Sequence, residues 1–314
     1  MLQADTSNNE AAKLGLLVAL AIVTAGFLLQ LTRALRQRAQ EGESVKPGLA
    51  ISLVSFIANF FDTLGIGSFA TTTTMVRQLK LIPDERLAGS LNIGYVIPTV
   101  AQAFIYTKIV PVDPMVLILM IAASVLGAWL GAGVVAKWPR RSLQLGMGIA
   151  LLIFALIMFL GQPQIGLLPT GGEALTLSGP KLGLAVLGNF VLGALMTLGI
   201  GLYAPCMILI YLLGMKPTAA FPIMMGSCAF LMPLASVRFL KERFYEPKAI
   251  LGMALAGLPA VLIAAFLVTS LPLTMLKWLV VVVVTYTGTS LIRAARRERD
   301  IASQATAAEA QPIT

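Results

Sequence analysis

Seven stretches of this chain, 14–31, 88–106, 115–136, 143–160, 219–237, 249–269 and 273–292, run with almost no charged residue. Crossing the roughly 30 Å hydrocarbon layer takes about 20 apolar residues in helix, so the pattern dictates an integral membrane protein. A soluble core could not hide so much apolar side chain: 58% of the 314 residues are hydrophobic and only 12% charged, against about 25% charged in ordinary soluble domains. Soluble enzymes and nucleic-acid binders are thereby excluded. The net charge of +9 comes from Lys and Arg clustered between apolar runs, where they act as orientation signals. Arg33, Arg36 and Arg38 follow the first run with no small-residue cleavage site before them, so it reads as a retained helix.

Two further apolar stretches are interrupted. The stretch 49–79 contains Asp62-Thr63-Leu64-Gly65-Ile66-Gly67-Ser68, and 182–213 contains Thr197-Leu198-Gly199-Ile200-Gly201 followed by Pro205. Basic loops are 33–46, 77–86, 137–141, 238–248 and 293–299; loops poor in Lys and Arg are 107–114, 161–180, 214–218 and 270–272. Short basic loops stay cytoplasmic. If each interrupted stretch is a hairpin returning to its own side, all basic loops fall inside and all poor ones outside. A single crossing by either would invert every later loop. The expected topology has seven spanning helices and two re-entrant hairpins, the N-terminus outside and the C-terminus cytoplasmic.

Thr63-Leu64-Gly65-Ile66-Gly67 recurs as Thr197-Leu198-Gly199-Ile200-Gly201, and Pro83, Pro114 and Pro139 recur as Pro217, Pro247 and Pro272. Each unit holds a hairpin and three spanning helices. Three is odd, so the second unit enters from the opposite side, and the fold class expected is an all-α polytopic membrane protein of two inverted repeats. The divisions are 1–46 (N-terminal helix and cytoplasmic loop), 47–161 (repeat 1), 162–181 (external linker), 182–293 (repeat 2) and 294–314 (cytoplasmic tail). Broken segments at matching positions of inverted halves point to a transporter's binding site.

The breaks themselves offer chemistry. Gly65, Gly67, Gly199 and Gly201 permit tight turns, and a half-helix starting beyond each turn presents free N–H groups at its positive end. Hydroxyls at Thr63, Ser68, Thr71 and Thr72 surround the first turn; Tyr203 and Cys206 follow the second. Asn92 and Ser227 gain weight from their place on the helix after each hairpin. These twelve residues form the candidate substrate site. Asp62 is the one carboxylate expected inside a membrane-embedded segment, and its repeat counterpart is Met196. A buried acid is costly, which makes Asp62 the candidate for coupling to protons or a cation. Gln102, Asn59, Tyr95 and Ser236 read first as interhelical glue.

The chain has no His, and Cys206 and Cys228 lie in apolar stretches without a C-x-x-C pair. No metal site, disulfide framework or cofactor is expected. Small residues at Ala123, Gly127 and Gly131, and at Gly252, Ala256, Ala260 and Ala264, permit close helix contact, with a homodimer interface as one use of them.

The two Gly-x-Gly turns, each with a Pro sixteen residues beyond (Gly65-Ile66-Gly67 to Pro83, Gly199-Ile200-Gly201 to Pro217), resemble the sulfite exporter TauE/SafE family, also called the sulfonate uptake permeases. The resemblance covers about 47–292. This chain has a leaner glycine run at the first turn and adds an N-terminal helix. The resemblance implies secondary transport of sulfite or organosulfonates such as sulfoacetate across the plasma membrane, coupled to protons, with a small anion and the lipid bilayer as partners. A passive anion channel, or a carrier of another small organic anion, would use the same hairpins. An intramembrane enzyme is disfavoured by the lack of a His or a second embedded carboxylate, and a scaffold protein would not need duplicated breaks.

Overall fold

The computed structural model describes residues 2–65, 67–135, 139–162, 164–165, 167, 172–196, 201–270 and 273–309. Within them the chain forms α1 (Leu2–Gln40), α2 (Leu49–Thr63), α3 (Ser68–Gln78), α4 (Asp84–Gly94), α5 (Val96–Ile109), α6 (Pro114–Val135), α7 (Arg140–Leu160), α8 (Gly179–Met196), α9 (Tyr203–Leu212), α10 (Ala220–Glu242), α11 (Pro247–Ser270) and α12 (Leu273–Glu309). Helices α4 and α5 continue one another across Tyr95, just ahead of Pro98, whose ring excludes the hydrogen bond to Gly94. The fold is all-helical, as expected.

Among the described residues seven helices are long and apolar enough to cross a membrane: Asn9–Gln40, Asp84–Ile109, Arg141–Leu160, Gly179–Met196, Pro217–Glu242, Pro247–Leu267 and Trp278–Arg297. Six contain or overlap the stretches expected from the sequence. The seventh is α8, the first limb of the second interrupted stretch. Its 18 residues extend about 27 Å, whereas the 15 residues of α2 extend about 22 Å. The limbs of the two interrupted stretches are therefore unequal. Helix α6 covers the expected span at 115–136 as far as Val135, and its part with described side chains, Pro114–Leu130, ranks with the shorter apolar helices.

The loops gather at two ends of the molecule. At one end the Gly48 N–H donates to Lys248 O (3.4 Å), Arg38 pairs with Glu43 and donates to Arg243 O (3.1 Å), and Arg86 pairs with Glu246 (3.1 Å). Segments 33–46, 77–86 and 238–248, all basic, therefore meet, and both ends of the stretch 49–79 lie among them. At the other end the Asp113 N–H donates to Leu175 O (3.0 Å), a single-residue bridge pairs Ala174 with Met215, and the Lys216 N–H donates to Ala174 O (2.9 Å). The exit of the second interrupted stretch thus returns to the linker from which it started.

Helix pairing follows a rule. The first limb α2 packs on α11, and the corresponding limb α8 packs on α6; α5 packs on α10 and α7 on α12. Exchanging the units α2–α7 and α8–α12 turns this set of pairings into itself. The small-residue stripes make these contacts. A Cβ on Gly127 would run into the backbone carbonyl of Phe190, and one on Gly193 into that of Ser124, so α6 and α8 touch backbone to backbone. On the other pair, a Cβ on Gly252 would sit 2.9 Å from Ile51 Cγ2 and Ser52 Oγ, and one on Gly257 2.8 Å from Asn59 Nδ2. Gly127 and Gly252 thus serve contacts within the chain.

Candidate functional site

The first break turns on two glycines in left-handed geometry, Gly65 at φ +98° and Gly67 at φ +85°. A residue with a Cβ is strained in this region, which is why the sequence needs glycine at both. The turn carries the chain from α2 back over the last helical residues before it. As a result the Asp62 carboxylate meets the start of α3, where its Oδ1 accepts the Ser68 backbone N–H at 2.6 Å. An ionised carboxylate at a helix N-terminus gains from both the unpaired N–H and the aligned peptide dipoles.

Asp62 is 3% exposed, and among the described residues it and Arg38 are the two buried charged side chains. Its other oxygen, Oδ2, accepts from Gln102 Nε2 on α5 (3.0 Å). The second hydrogen of that amide goes to Thr63 Oγ1 (2.9 Å), which in turn donates to Asn59 O (2.8 Å). Gln102 Oε1 accepts from the Tyr203 hydroxyl (2.9 Å). Tyr203 is the first residue of α9, immediately beyond the second break. One helical turn along α5, Tyr106 donates to Thr63 O (3.1 Å) while its ring stacks on Phe221 of α10 at 5.2 Å. The acid, the amide and the phenol therefore form one chain from the first break to the second.

The turn is also packed against the second unit. A Cβ on Gly65 would lie 3.1 Å from Met207 Cε, 3.7 Å from Met224 Cε and 3.8 Å from the Phe221 ring. Cys206 on α9 is buried, as is Cys228 on α10, whose Sγ lies 3.5 Å from Met196 Sδ. Met196 ends α8 at the second break, so a sulfur pair stands where the first break has its carboxylate.

The remaining candidates divide. Thr63, Gly65, Gly67 and Ser68 lie at the first turn with Asp62, and Tyr203 reaches it from α9. Thr72 shares a hydrogen bond with the Tyr95 hydroxyl (2.7 Å), and Thr71 Oγ1 is buried without a protein partner. Asn92 donates back to Ala88 O of its own helix (2.9 Å). Ser227 accepts from Asn189 Nδ2 (3.1 Å), whose amide also donates to Met120 O (2.6 Å), so it belongs to the α6–α8–α10 contact. Gly201 is exposed, with open space where a Cβ would stand; Thr197 and Gly199 fall outside the described residues. Tyr106 and Asn189 were not singled out in the sequence. Tyr106 sits four residues after Gln102, on the same helix face, and that spacing was the available signal. Among the described residues no group of three or more Cys, Asp or Glu side chains could hold a metal ion.

A multi-pass helical bundle with a buried acid held between two broken segments is the class of protein defined by this geometry. Residues 4–158, just under half of the chain, match the family described as Sulfite exporter TauE/SafE, and over that part the chain is similar to this family. The match takes in α1, which had read as an addition to the family pattern. No curated protein and no solved structure matches the chain.

Proposed function

We propose that this protein is a proton-coupled secondary transporter of small, singly charged sulfur-containing anions, sulfite or an organosulfonate, across the plasma membrane. The basic end (33–46, 77–86, 238–248) faces the cytoplasm and the N-terminus lies outside, which follows from the retention of short Lys- and Arg-rich loops. The units α2–α7 and α8–α12 are inverted repeats; the helix pairing that survives their exchange supports this. The substrate site lies between the two breaks, bounded by Gly65 to Thr72 on one side and Gly201 to Cys206 on the other.

The observation that carries the reading is the placement of Asp62. Its carboxylate fills the N-terminus of α3, and among the described residues no Lys or Arg acts on it. While ionised, it repels a second anion and occupies the Ser68 N–H. A proton removes the charge and makes room for one negative charge, so substrate and proton enter together. With no described Lys or Arg beside Asp62, multiply charged anions such as phosphate are also disfavoured, because they would lose hydration without a counter-charge.

The test is uptake into proteoliposomes, using methanesulfonate because its charge does not change across the physiological pH range. The parent should accumulate the anion uphill when the trans side is made alkaline. Asp62→Asn should equilibrate it or fail to move it, but not concentrate it. Normal uphill accumulation by Asp62→Asn, or a preference for cations, would refute the proposal, and flux in the parent that never exceeds equilibrium would favour a passive channel.

A further inference from the structure

Resting on the coupling role just given to Asp62, we infer that Gln102 and Tyr203 form the link by which the charge state of Asp62 in the first unit sets the position of α9 in the second. The donor and acceptor count fixes the direction of the chain. Tyr203 O–H donates to Gln102 Oε1 at 2.9 Å, and Gln102 Nε2 donates to Asp62 Oδ2 at 3.0 Å and to Thr63 Oγ1 at 2.9 Å. Both amide hydrogens and the amide oxygen are engaged. Every dipole in the chain therefore points toward the carboxylate, and each bond polarises the next.

Protonation of Asp62 removes the charge that holds this order. Gln102 Nε2 then faces a neutral acid, and the amide can reverse to accept the new O–H. Reversal would present Nε2 to Tyr203, a donor facing a donor, and the phenol must turn or withdraw. Tyr203 is the first residue of α9, so its withdrawal acts on the helix start beside the second break. The other groups facing Asp62 offer no competing switch. Tyr95 between α4 and α5, Tyr203 of α9 and Cys228 of α10 are neutral in the working pH range, and among the described residues none of the groups acting on Asp62 is a Lys or Arg.

Gln102 and Tyr203 are positioning residues in this scheme, and their test needs no substrate. In a background with Cys206 and Cys228 replaced by Ala, Gly201→Cys places one thiol at the second break, where its Cβ meets nothing within 4 Å. Its maleimide labelling rate is followed from about pH 8 to about pH 5. The reference is Gly183→Cys, an exposed position on α8 with equally open surroundings, which corrects for thiol ionisation. The normalised rate should change several-fold as the pH falls in the parent. It should lose that dependence in Asp62→Asn, in Tyr203→Phe and in Gln102→Leu. Tyr203→Phe keeps the ring and removes only the donated hydrogen, so it decides the matter even if Gln102→Leu fails to fold. Parental pH dependence in Tyr203→Phe, with loss in Asp62→Asn, overturns the link and leaves the coupling role of Asp62 standing. No pH dependence in the parent, or dependence retained in Asp62→Asn, overturns both.

Discussion

Gly127→Ala should be among the most damaging single-methyl additions to this chain. The α6–α8 contact is backbone against backbone: the added Cβ would run into the carbonyl of Phe190, and the reciprocal Gly193 position runs into the carbonyl of Ser124. A carbonyl inside a helix cannot swing away as a side chain can. Restoring a normal carbon–oxygen separation of about 3.4 Å requires the helices to part by roughly 1 Å or more. That parting also strains the Asn189 bond to Met120 O, at 2.6 Å on the same interface. Overpacking of this kind costs about 1–3 kcal/mol, and the upper half of that range is expected because no rotamer change relieves it.

The structure supplies graded controls. At Gly252 the nearest obstacles are the side-chain atoms of Ile51 and Ser52 at 2.9 Å, which can shift, with the Gly48 carbonyl further off at 3.3 Å, so Gly252→Ala should cost about 1 kcal/mol. At Gly183, on the same helix as Gly193, nothing lies within 4 Å, and Gly183→Ala should be neutral or stabilising by up to about 1 kcal/mol. Thermal unfolding of purified protein in one detergent gives the order directly. Equal melting temperatures for Gly127→Ala and Gly183→Ala would refute the claim that α6 and α8 meet at their backbones.

Gly65→Ala should destabilise by about 1–2 kcal/mol, because it places a Cβ at φ +98° and within 3.1 Å of Met207 Cε; the same melting assay reads it. Tyr106→Phe removes the bond to Thr63 O and should cost about 1 kcal/mol while leaving the ring stacked on Phe221. Single cysteines at Arg36 and Arg77 should label from one side of the membrane, and those at Pro180 and Lys216 from the other; opposite-side labelling of the first two would remove the first hairpin. Arg243 binds Glu41 through two bonds of 2.7 Å and holds its carboxyl below the usual range. A lowered folded-state value stabilises at pH above the ordinary Glu value and fades as pH falls through the folded one. The melting difference between the parent and Glu41→Gln should therefore be present at neutral pH, shrink in strong acid and shrink with added salt.

The two ends of the molecule were legible because Lys and Arg avoid hydrocarbon, so loop composition carries position. The breaks were legible because glycine pairs in apolar runs have few other uses. Hydropathy does not mark where a helix stops, and the 18-residue length of α8 was therefore missed: residues 179–181 are Gly, Pro and Lys, yet the helix begins there. The stripe at Gly127 announced close contact without naming the partner, since spacing of four says how near a neighbour comes and nothing about which neighbour it is. Gln102 illustrates the same limit at the site. Its partners are 40 residues before it and 101 after, and a lone amide in an apolar helix gives no sign of either.

Helix pairing survives exchange of the two units, but the polar groups do not. Asp62 corresponds to Met196 and Gln102 to Ser236, whose hydroxyl is buried without a protein partner. The first break is therefore built around a charge and its hydrogen-bond donors, and the second around Met196 and Cys228, which are polarisable and uncharged. Two carboxylates facing each other at the centre would raise each other's cost of ionisation and would close the site to anions. One carboxylate gives a single group whose charge can change, set against a soft wall that neither attracts nor repels it. On the proposed function, a singly charged substrate and one proton would form a neutral load in such a site, and a neutral load escapes the electrostatic cost that a charge pays in the bilayer interior. If the two units open in turn, as the proposed inverted repeat implies, the asymmetry of Asp62 and Met196 would set the two openings apart, because only the first break carries a group whose charge can change.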